Sequence, residues 1–154
     1  MLWFWKTRYH KIRAFGSDIV ENYLRERDIR YFRNEQGHYL FFMPAHPDLL
    51  PREAIHIIVA PRDSYLAMMA IFPPSVVSWH TNPVELANEW NNERVFPRAH
   101  FKPDVGYIMD WFHDFTRGIS QAQFDNHIDA FLAVVAMHAQ ELFEKSRQHA
   151  NVEV

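Results

Sequence analysis

The sequence contains no cysteine and only four glycines in 154 residues. Without cysteine there is no disulfide framework, no cysteine-ligated zinc site, no cysteine nucleophile and no thiol redox chemistry. Four widely spaced glycines exclude the glycine-rich loops that bind phosphates and dinucleotides, and no G-x-S-x-G nucleophile elbow occurs. The usual sequence signals of an enzyme are therefore missing, which removes the direct arguments for catalysis without excluding it, and no cofactor is expected.

Long apolar runs are missing as well. No stretch approaches the roughly 20 apolar residues of a membrane-spanning helix. At the start of the chain the apolar residues precede the basic ones and end at Trp5, which is the reverse of a secretory signal. We expect a cytoplasmic protein, and the lack of cysteine fits a reducing compartment.

The residues that are present favour one folded domain. Apolar residues make up 48% of the chain and aromatic residues 16%, which is enough for a single well-filled core at this length. The formal net charge is only −3. Because a small net charge favours self-association and disfavours nucleic-acid binding across the surface, no nucleic-acid partner is expected.

The charge is unevenly distributed along the chain. Residues 1–15 hold four basic and no acidic side chains (+4), and the remaining 139 residues hold 12 basic and 19 acidic ones (−7). We call residues 1–16 the N-terminal arm, a basic and aromatic extension in which a short helix is expected. The arm either packs its rings on the domain or makes a weak, salt-sensitive contact with a partner or a membrane surface. The residues that would make such a contact are Trp3, Trp5, Lys6, Arg8, Lys11 and Arg13.

Hydrophobic periodicity predicts three helices and two blocks of strands in the rest of the chain. The first helix is predicted to begin at a capping box of Asp18 and Glu21, the second at Asn82 and the third at Ser120. The strands are predicted at 29–33, 38–43, 54–60, 65–72, 98–103 and 107–115. Strands and helices in blocks with short connections indicate an α+β fold, with a twisted antiparallel sheet of about six strands packed with three helices.

Three segments are apolar on successive residues rather than on alternate ones. The runs at 54–60 and 65–72 are therefore placed in the centre of the sheet. The run at 130–137, in the last helix, predicts cover on more than one side, by other helices or by a second subunit.

Histidine is frequent, with ten residues, and neutral imidazole binds metals and transfers protons. No two histidines have the i, i+4 spacing of a helical zinc site, and no H-E-x-x-H motif occurs. His127 and His138 share a helix face but lie about three turns apart, too far to share an ion. No metal site is expected, and a His-based metal-dependent enzyme is the least favoured alternative.

The segment from Leu86 to Ala99 resembles the signature of the YbjN-domain family of small bacterial proteins. In that family an N-E-W-N-x-E-R-x-F-P-x-A stretch joins a helix to the strand that follows it. The matching residues are Asn88, Glu89, Trp90, Asn91, Glu93, Arg94, Phe96, Pro97 and Ala99. The resemblance covers about residues 17–145, and the segment before Ser17 and the proline-rich loop at 44–53 are additions to it.

The resemblance implies a fold similar to that of type III secretion chaperones, in a family labelled as sensory transduction regulators. Such proteins are usually dimeric, so it implies a non-catalytic protein that associates with itself and with another chain. We accordingly expect a single YbjN-like domain at 17–147 and a C-terminal tail at 148–154.

Two roles are open for the motif, a structural one and a partner-binding one. Its asparagines are poor helix formers, and amide side chains that bond the neighbouring strand or a partner backbone would account for them. Trp90 is expected to anchor the core, and Phe96 and Pro97 to fix the end of the helix. The candidate partner-binding residues are Asn88, Trp90, Asn91, Arg94, Phe96 and Pro97.

The leading hypothesis is a chaperone-like or regulatory adaptor that acts through protein–protein contacts as a homodimer. The alternative from another class is a membrane-peripheral regulatory protein that uses the N-terminal arm.

Overall fold

A computed structural model describes residues 10–47 and 53–152 of the chain. Within them, three helices and six strands follow one another in the order α, four strands, α, two strands, α. The elements are α1 (Ser17–Glu26), β1 (Phe32–Arg33), β2 (Tyr39–Pro44), β3 (Ala54–Arg62), β4 (Tyr65–Ile71), α2 (Pro83–Glu93), β5 (Arg98–Lys102), β6 (Gly106–Asp114) and α3 (Gln121–Val152). A short 3-10 helix at Pro74–Val76 connects the first block of strands to α2.

The six strands form one antiparallel sheet in the order β1-β2-β3-β4-β6-β5. The predicted α+β fold is confirmed, and β3 and β4 occupy the middle of the sheet as their unbroken apolar sequences indicate. Strands β1 and β5 are the two edges.

The core lies between one face of the sheet and the helices α1 and α3. Alternate residues of each strand are buried on this face, and they meet the apolar stripes of the helices. The sheet contributes Tyr39, Phe41, Ile55, Ile57, Val59, Leu66, Met68, Ala70, Tyr107 and Met109. The helices contribute Ile19, Val20, Tyr23, Leu24, Phe124, Ile128, Phe131, Val135 and Leu142.

Two of the three predicted helix starts are confirmed. The side chain of Asn82 accepts a hydrogen bond from the backbone N–H of Glu85, and Pro83 is the first helical residue. At α3 the backbone N–H of Gln123 donates to Ser120 Oγ, and the backbone N–H of Ser120 donates to Gln123 Oε1. These reciprocal bonds form the predicted capping box.

The capping box predicted at Asp18 is wrong. Helix α1 begins at Ser17 after Gly16, and no side chain caps it. Asp18 instead forms an ion pair with Arg13. The competing partner is an arginine of the preceding segment, whose charge attracts the carboxylate more strongly than a backbone amide does.

The strand predicted at 29–33 is confined to Phe32–Arg33. Asp28 has a positive φ of 52°, and the backbone N–H of Ile29 donates to the carbonyl oxygen of Leu24. The end of α1 therefore continues as a turn through Ile29, and the chain reaches the sheet only at Phe32.

The described part of the N-terminal arm is joined to the domain. Arg13 pairs with Ile119 in an isolated antiparallel bridge, and Phe15 lies in the core. The helix expected in the arm does not extend to Ile12, because the described part is helical only at His10. Four of the six candidate contact residues fall outside the described residues: Trp3, Trp5, Lys6 and Arg8. Residues 48–52 of the proline-rich loop also lie outside them.

Helix α3 continues to Val152, past residue 147, where we placed the end of the domain. Within its apolar run, Phe131 and Val135 are buried, whereas Ala133 and Met137 are exposed. Within one chain the run is therefore covered on one side. Cover of the other side by a second subunit stays a prediction.

Candidate interaction surfaces

The sequence motif is held between helix α2 and strand β5 by two side chains. Trp90 is 3% exposed, and its indole Nε1 donates a 2.7 Å hydrogen bond to the carbonyl oxygen of Pro97. The amide of Asn91 donates to the carbonyl oxygen of Ala99 and accepts from the backbone N–H of Ala99, both at 2.8 Å. The amide of Asn91 thus takes the place of a neighbouring strand.

These contacts close part of the β5 edge. An edge strand normally presents unpaired backbone groups that attract another strand. In β5 the outward-facing groups of Ala99 are bonded to Asn91, the carbonyl of Pro97 is bonded to Trp90, and proline has no N–H. The motif therefore shields the first residues of this edge from strand addition.

Part of the motif lines a shallow, open cavity of about 430 Å³. Arg94 lies over the Trp90 ring, 4.2 Å from its centroid, and forms ion pairs with Glu93 at 3.0 Å and Glu141 at 3.7 Å. Phe96 is exposed, and its ring stacks on Trp111. The cavity is lined by Asn91, Asn92, Glu93, Arg94, Val95 and Arg98. Arg94 is already paired with two carboxylates, which weakens its attraction for an anion, and Arg98 is the other cation of the lining.

His138 of α3 lies in the core beside the motif. Its Nε2 is 2.9 Å from the Tyr107 hydroxyl oxygen, and its ring is 4.2 Å from the Trp90 ring. Burial, together with the positive charges of Arg94 and Lys145, lowers the pKa of His138 to about 3. Burial also raises the pKa of Tyr107. Both groups are thus neutral near pH 7 and serve as packed, hydrogen-bonded core residues.

A second pair of histidines joins β6 to α3. The rings of His113 and His127 are 4.3 Å apart, next to Trp111 and Phe115. Burial and then repulsion by His127 lower the pKa of His113 to about 4, and burial lowers that of His127. His113 faces α3, whereas Asp110, on the other face of β6, points away from it. Among residues 10–47 and 53–152, no three His, Asp or Glu side chains are grouped as a metal would require.

The face of the sheet that points away from the helices is largely apolar, and we call it the open sheet face. The ladder registers place its side chains in rows across the strands. Phe112 is 63% exposed and stacks on Tyr65 at 5.4 Å, and Phe42 is 60% exposed and meets His56 edge to face at 4.9 Å. Its apolar members are Phe32, Leu40, Phe42, Ile58, Ala60, Tyr65, Ala67, Met69, Ile71 and Phe112.

Sequence reasoning missed this surface, although its signal was present. A half-exposed strand of an antiparallel sheet usually alternates apolar and polar residues. The runs at 54–60 and 65–72 do not alternate, because the residues on both faces of these strands are apolar. One face packs on the core, and the other belongs to the open sheet face.

Of the candidate arm residues, Lys11 and Arg13 lie within the described part. Lys11 is exposed. Arg13 is bound to Asp18 and lies 3.4 Å from Gln121 Oε1, so its guanidinium stays at the domain surface. Asn88 is exposed on α2, and Pro97 is buried beneath Trp90. Partner binding by these residues and by the motif stays a prediction.

None of the helices in the described ranges has the length and apolar content needed to traverse a lipid bilayer.

Comparison with known proteins finds a family model that spans most of the chain. The family model YbjN, described as "Putative bacterial sensory transduction regulator", matches residues 17–144. The chain is similar to a crystal structure described as "YbjN, a putative transcription regulator from E. coli", with 12% identity, a TM-score of 0.61, and coverage of 91% of this chain and 97% of that one.

A second solved structure is also similar to this chain. It is the Yersinia pestis type III secretion chaperone SycH in complex with a stable fragment of YscM2, with 15% identity, a TM-score of 0.47, and coverage of 82% of this chain and 98% of that one. No curated protein matches the sequence significantly.

Proposed function

The chain belongs to the YbjN family, and from that premise we propose that it is a non-catalytic regulatory or chaperone-like adaptor. It acts through protein–protein contacts as a homodimer and binds a further polypeptide. The two parts of the proposal are separable, because a protein can associate with itself without binding another chain.

The open sheet face is the observation that carries this proposal. Isolated exposed apolar residues are ordinary, but a contiguous patch that includes several aromatic rings marks an interaction site. Phe112, Tyr65 and Phe42 are rigid rings that gain much from burial and lose little side-chain entropy when they are covered. A surface of this kind suits another protein better than a small substrate, which needs a concave pocket.

The roles of the buried polar residues support a non-catalytic protein. His138 is bonded to Tyr107, and the amide of Asn91 is bonded to Ala99. His138 and Tyr107 are buried, and the amide of Asn91 is held by both backbone groups of Ala99, so these polar groups stabilise the fold and are poorly placed to act on a substrate.

Site-specific photo-cross-linking in the native host tests the proposal. The photoreactive residue replaces Phe112 on the open sheet face, and the matched control replaces Val105, which is 46% exposed in the turn between β5 and β6. We expect discrete cross-linked products at position 112, with masses that separate the self-adduct from an adduct with a different polypeptide. The control is expected to give neither.

Two results would count against the proposal. Cross-links that are equally abundant at both positions would indicate random collisions. The lack of any product at position 112 would show that the open sheet face contacts no protein.

A further inference from the structure

We infer that the homodimer forms through the open sheet face, with a second copy of this chain docked sheet against sheet. This inference rests on the proposed function, because it specifies the interface of the proposed homodimer. Three features of the open sheet face favour a second copy of this chain as its partner: the area of the face, its breadth and the position of its charges.

The exposed area is close to what a stable dimer requires. A fully exposed aromatic side chain presents about 200 Å². Phe32, Phe42, Tyr65 and Phe112 are 41–64% exposed, so these four rings alone present about 450 Å². Leu40, Ile58, Met69 and Ile71 are half-buried between them and add to this area. A stable interface covers about 800 Å² on each partner, which is within reach of the whole face.

The breadth of the face favours another sheet as the occupant. The exposed rings lie on β1, β2, β4 and β6, so the apolar surface extends over most of the sheet. An extended peptide would cover only the width of about two strands, or roughly 10 Å. A second sheet, packed about 10 Å above the first, covers the entire surface at once.

The arrangement of charges is that of an interface between like copies. The middle of the face carries only apolar side chains, at Ile58, Ala60, Ala67 and Met69. Polar residues surround this centre: Asp110 of β6 is opposite Met69 and lies 3.8 Å from Arg98 on the edge strand, and His56 of β3 is opposite Ile71. Homodimer interfaces likewise have an apolar centre with few charges and a polar rim. A net charge of −3 per chain adds little repulsion between two copies.

The shape of the face is compatible with a twofold axis. Ala60 and Ala67 are directly beside Phe112 in one row across the sheet, so a shallow depression lies next to an exposed ring. A twofold contact requires a surface that is complementary to itself. A ring of the second copy can occupy the space above the two alanines while Phe112 occupies the equivalent space opposite.

Charge-introducing variants test the inference. Phe112→Glu and Phe42→Glu each place a carboxylate in the proposed interface at a position that is about 60% exposed in one chain. Val84→Glu is the matched control, because Val84 is an apolar side chain that is 52% exposed on α2. Light scattering coupled to size-exclusion chromatography, at about 50 and about 1 µM, should give twice 18.4 kDa for the wild type and the control. The two Phe variants should shift to the mass of a single chain. Circular dichroism melts establish that all four proteins are folded.

A second measurement uses the absence of cysteine in the native sequence. Met69→Cys introduces a single thiol in the middle of the face, and Ala133→Cys introduces one on the helical side. After spin labelling, pulsed electron resonance should give a label pair within about 20 Å at position 69, since packed sheets are about 10 Å apart. At position 133 the labels should be much farther apart.

Three outcomes would overturn the inference. If both Phe variants stay dimeric and the labels at position 69 are distant, the dimer uses another surface, and the proposed function stands. If the wild type is a single chain at about 50 µM, the homodimer itself is wrong, and the cross-link to another polypeptide then decides the remaining part of the function. If a monomeric wild type binds an apolar dye only after residues 1–9 are removed, the face is covered by the chain's own start.

Discussion

Trp90 makes two contacts that can be removed one at a time. Trp90→Ala removes both the packed indole and the bond to the Pro97 carbonyl, and should lower the free energy of unfolding by about 3–5 kcal/mol. Trp90→Phe keeps most of the packing and removes only the hydrogen bond, so its loss should be about 1–3 kcal/mol. Chemical denaturation measures both values.

The control for Trp90 is Val84→Ala, because Val84 is 52% exposed on the same helix. It should change the free energy of unfolding by less than about 0.5 kcal/mol. If Trp90→Ala also left the free energy of unfolding nearly unchanged, the indole ring would be a surface contact and not part of the core.

Asn91 contributes through hydrogen bonds, because its amide bonds both backbone groups of Ala99. Asn91→Ala should destabilise the fold by about 1–3 kcal/mol, the cost of leaving partly buried backbone groups unbonded. Asn92→Ala, at the exposed neighbouring position, should be nearly neutral and controls for the change in helix propensity. Equal stability of the two variants in urea denaturation would exclude the strand-like role of Asn91.

The segment that connects β6 to α3 also fixes the end of the N-terminal arm. Gly118 has a φ of +81°, and a Cβ there would lie 2.6 Å from the carbonyl oxygen of Arg13. Gly118→Ala should therefore combine backbone strain of about 1 kcal/mol with a clash that breaks the Arg13–Ile119 bridge. Thermal melts measure the total effect.

Gly37 separates the two contributions. Its φ is +79°, but an added Cβ would meet its nearest neighbour, a side-chain atom of Arg33, at 3.8 Å. Gly37→Ala should show the strain without the clash and lose about 1 kcal/mol. If Gly118→Ala is no worse than Gly37→Ala, the bridge contributes little to stability.

Elements whose start signals are local were predicted well. Asn82 with Pro83, and Ser120 with Gln123, bond within three residues, so neighbouring sequence contains all the necessary information. Asp18 looked equivalent but binds Arg13, a competitor five residues upstream. The short β1 likewise results from the turn at Asp28, whose positive φ no pattern of apolar residues indicates.

The candidate surfaces depend on long-range arrangement and were harder to predict. The runs at 54–60 and 65–72 indicated burial, but one sequence does not reveal that all the core-forming helix stripes lie on the same side of the sheet. The bond between Asn91 and Ala99 depends on how β5 is placed against α2. The sequence suggested that an amide would bond a strand, and the structure identifies which amide and which residue.

The folded molecule keeps three histidines neutral, which determines how it responds to acid. Burial lowers the pKa values of His138, His113 and His127 below their ordinary range. The unfolded chain takes up these protons near pH 6.5, whereas the folded chain does not, so the unfolded state gains protons first. Stability should be complete above pH 6.5 and decrease as the pH falls toward about 3.

For His138 alone the unfolding equilibrium constant should rise about tenfold for each pH unit below 6.5. Urea denaturation at pH 7.5 and 5.5 measures this slope. His138→Gln should reduce it, and His149→Gln, at an exposed position near the end of α3, is the matched control. An identical slope in the His138 variant would mean that this residue does not contribute to acid sensitivity.

The bonds between Asn91 and Ala99 have a consequence for the behaviour of the protein when it is crowded. Growth of a fibril by edge-to-edge addition requires two open edges on every unit, one to attach and one to receive the next unit. Trp90 and Asn91 bond the first residues of one of them, the β5 edge, which shortens the template for a further strand. Two chains could join through their β1–β2 edges, but the pair would then offer only the short remainder of each β5 edge, so further growth should be slow.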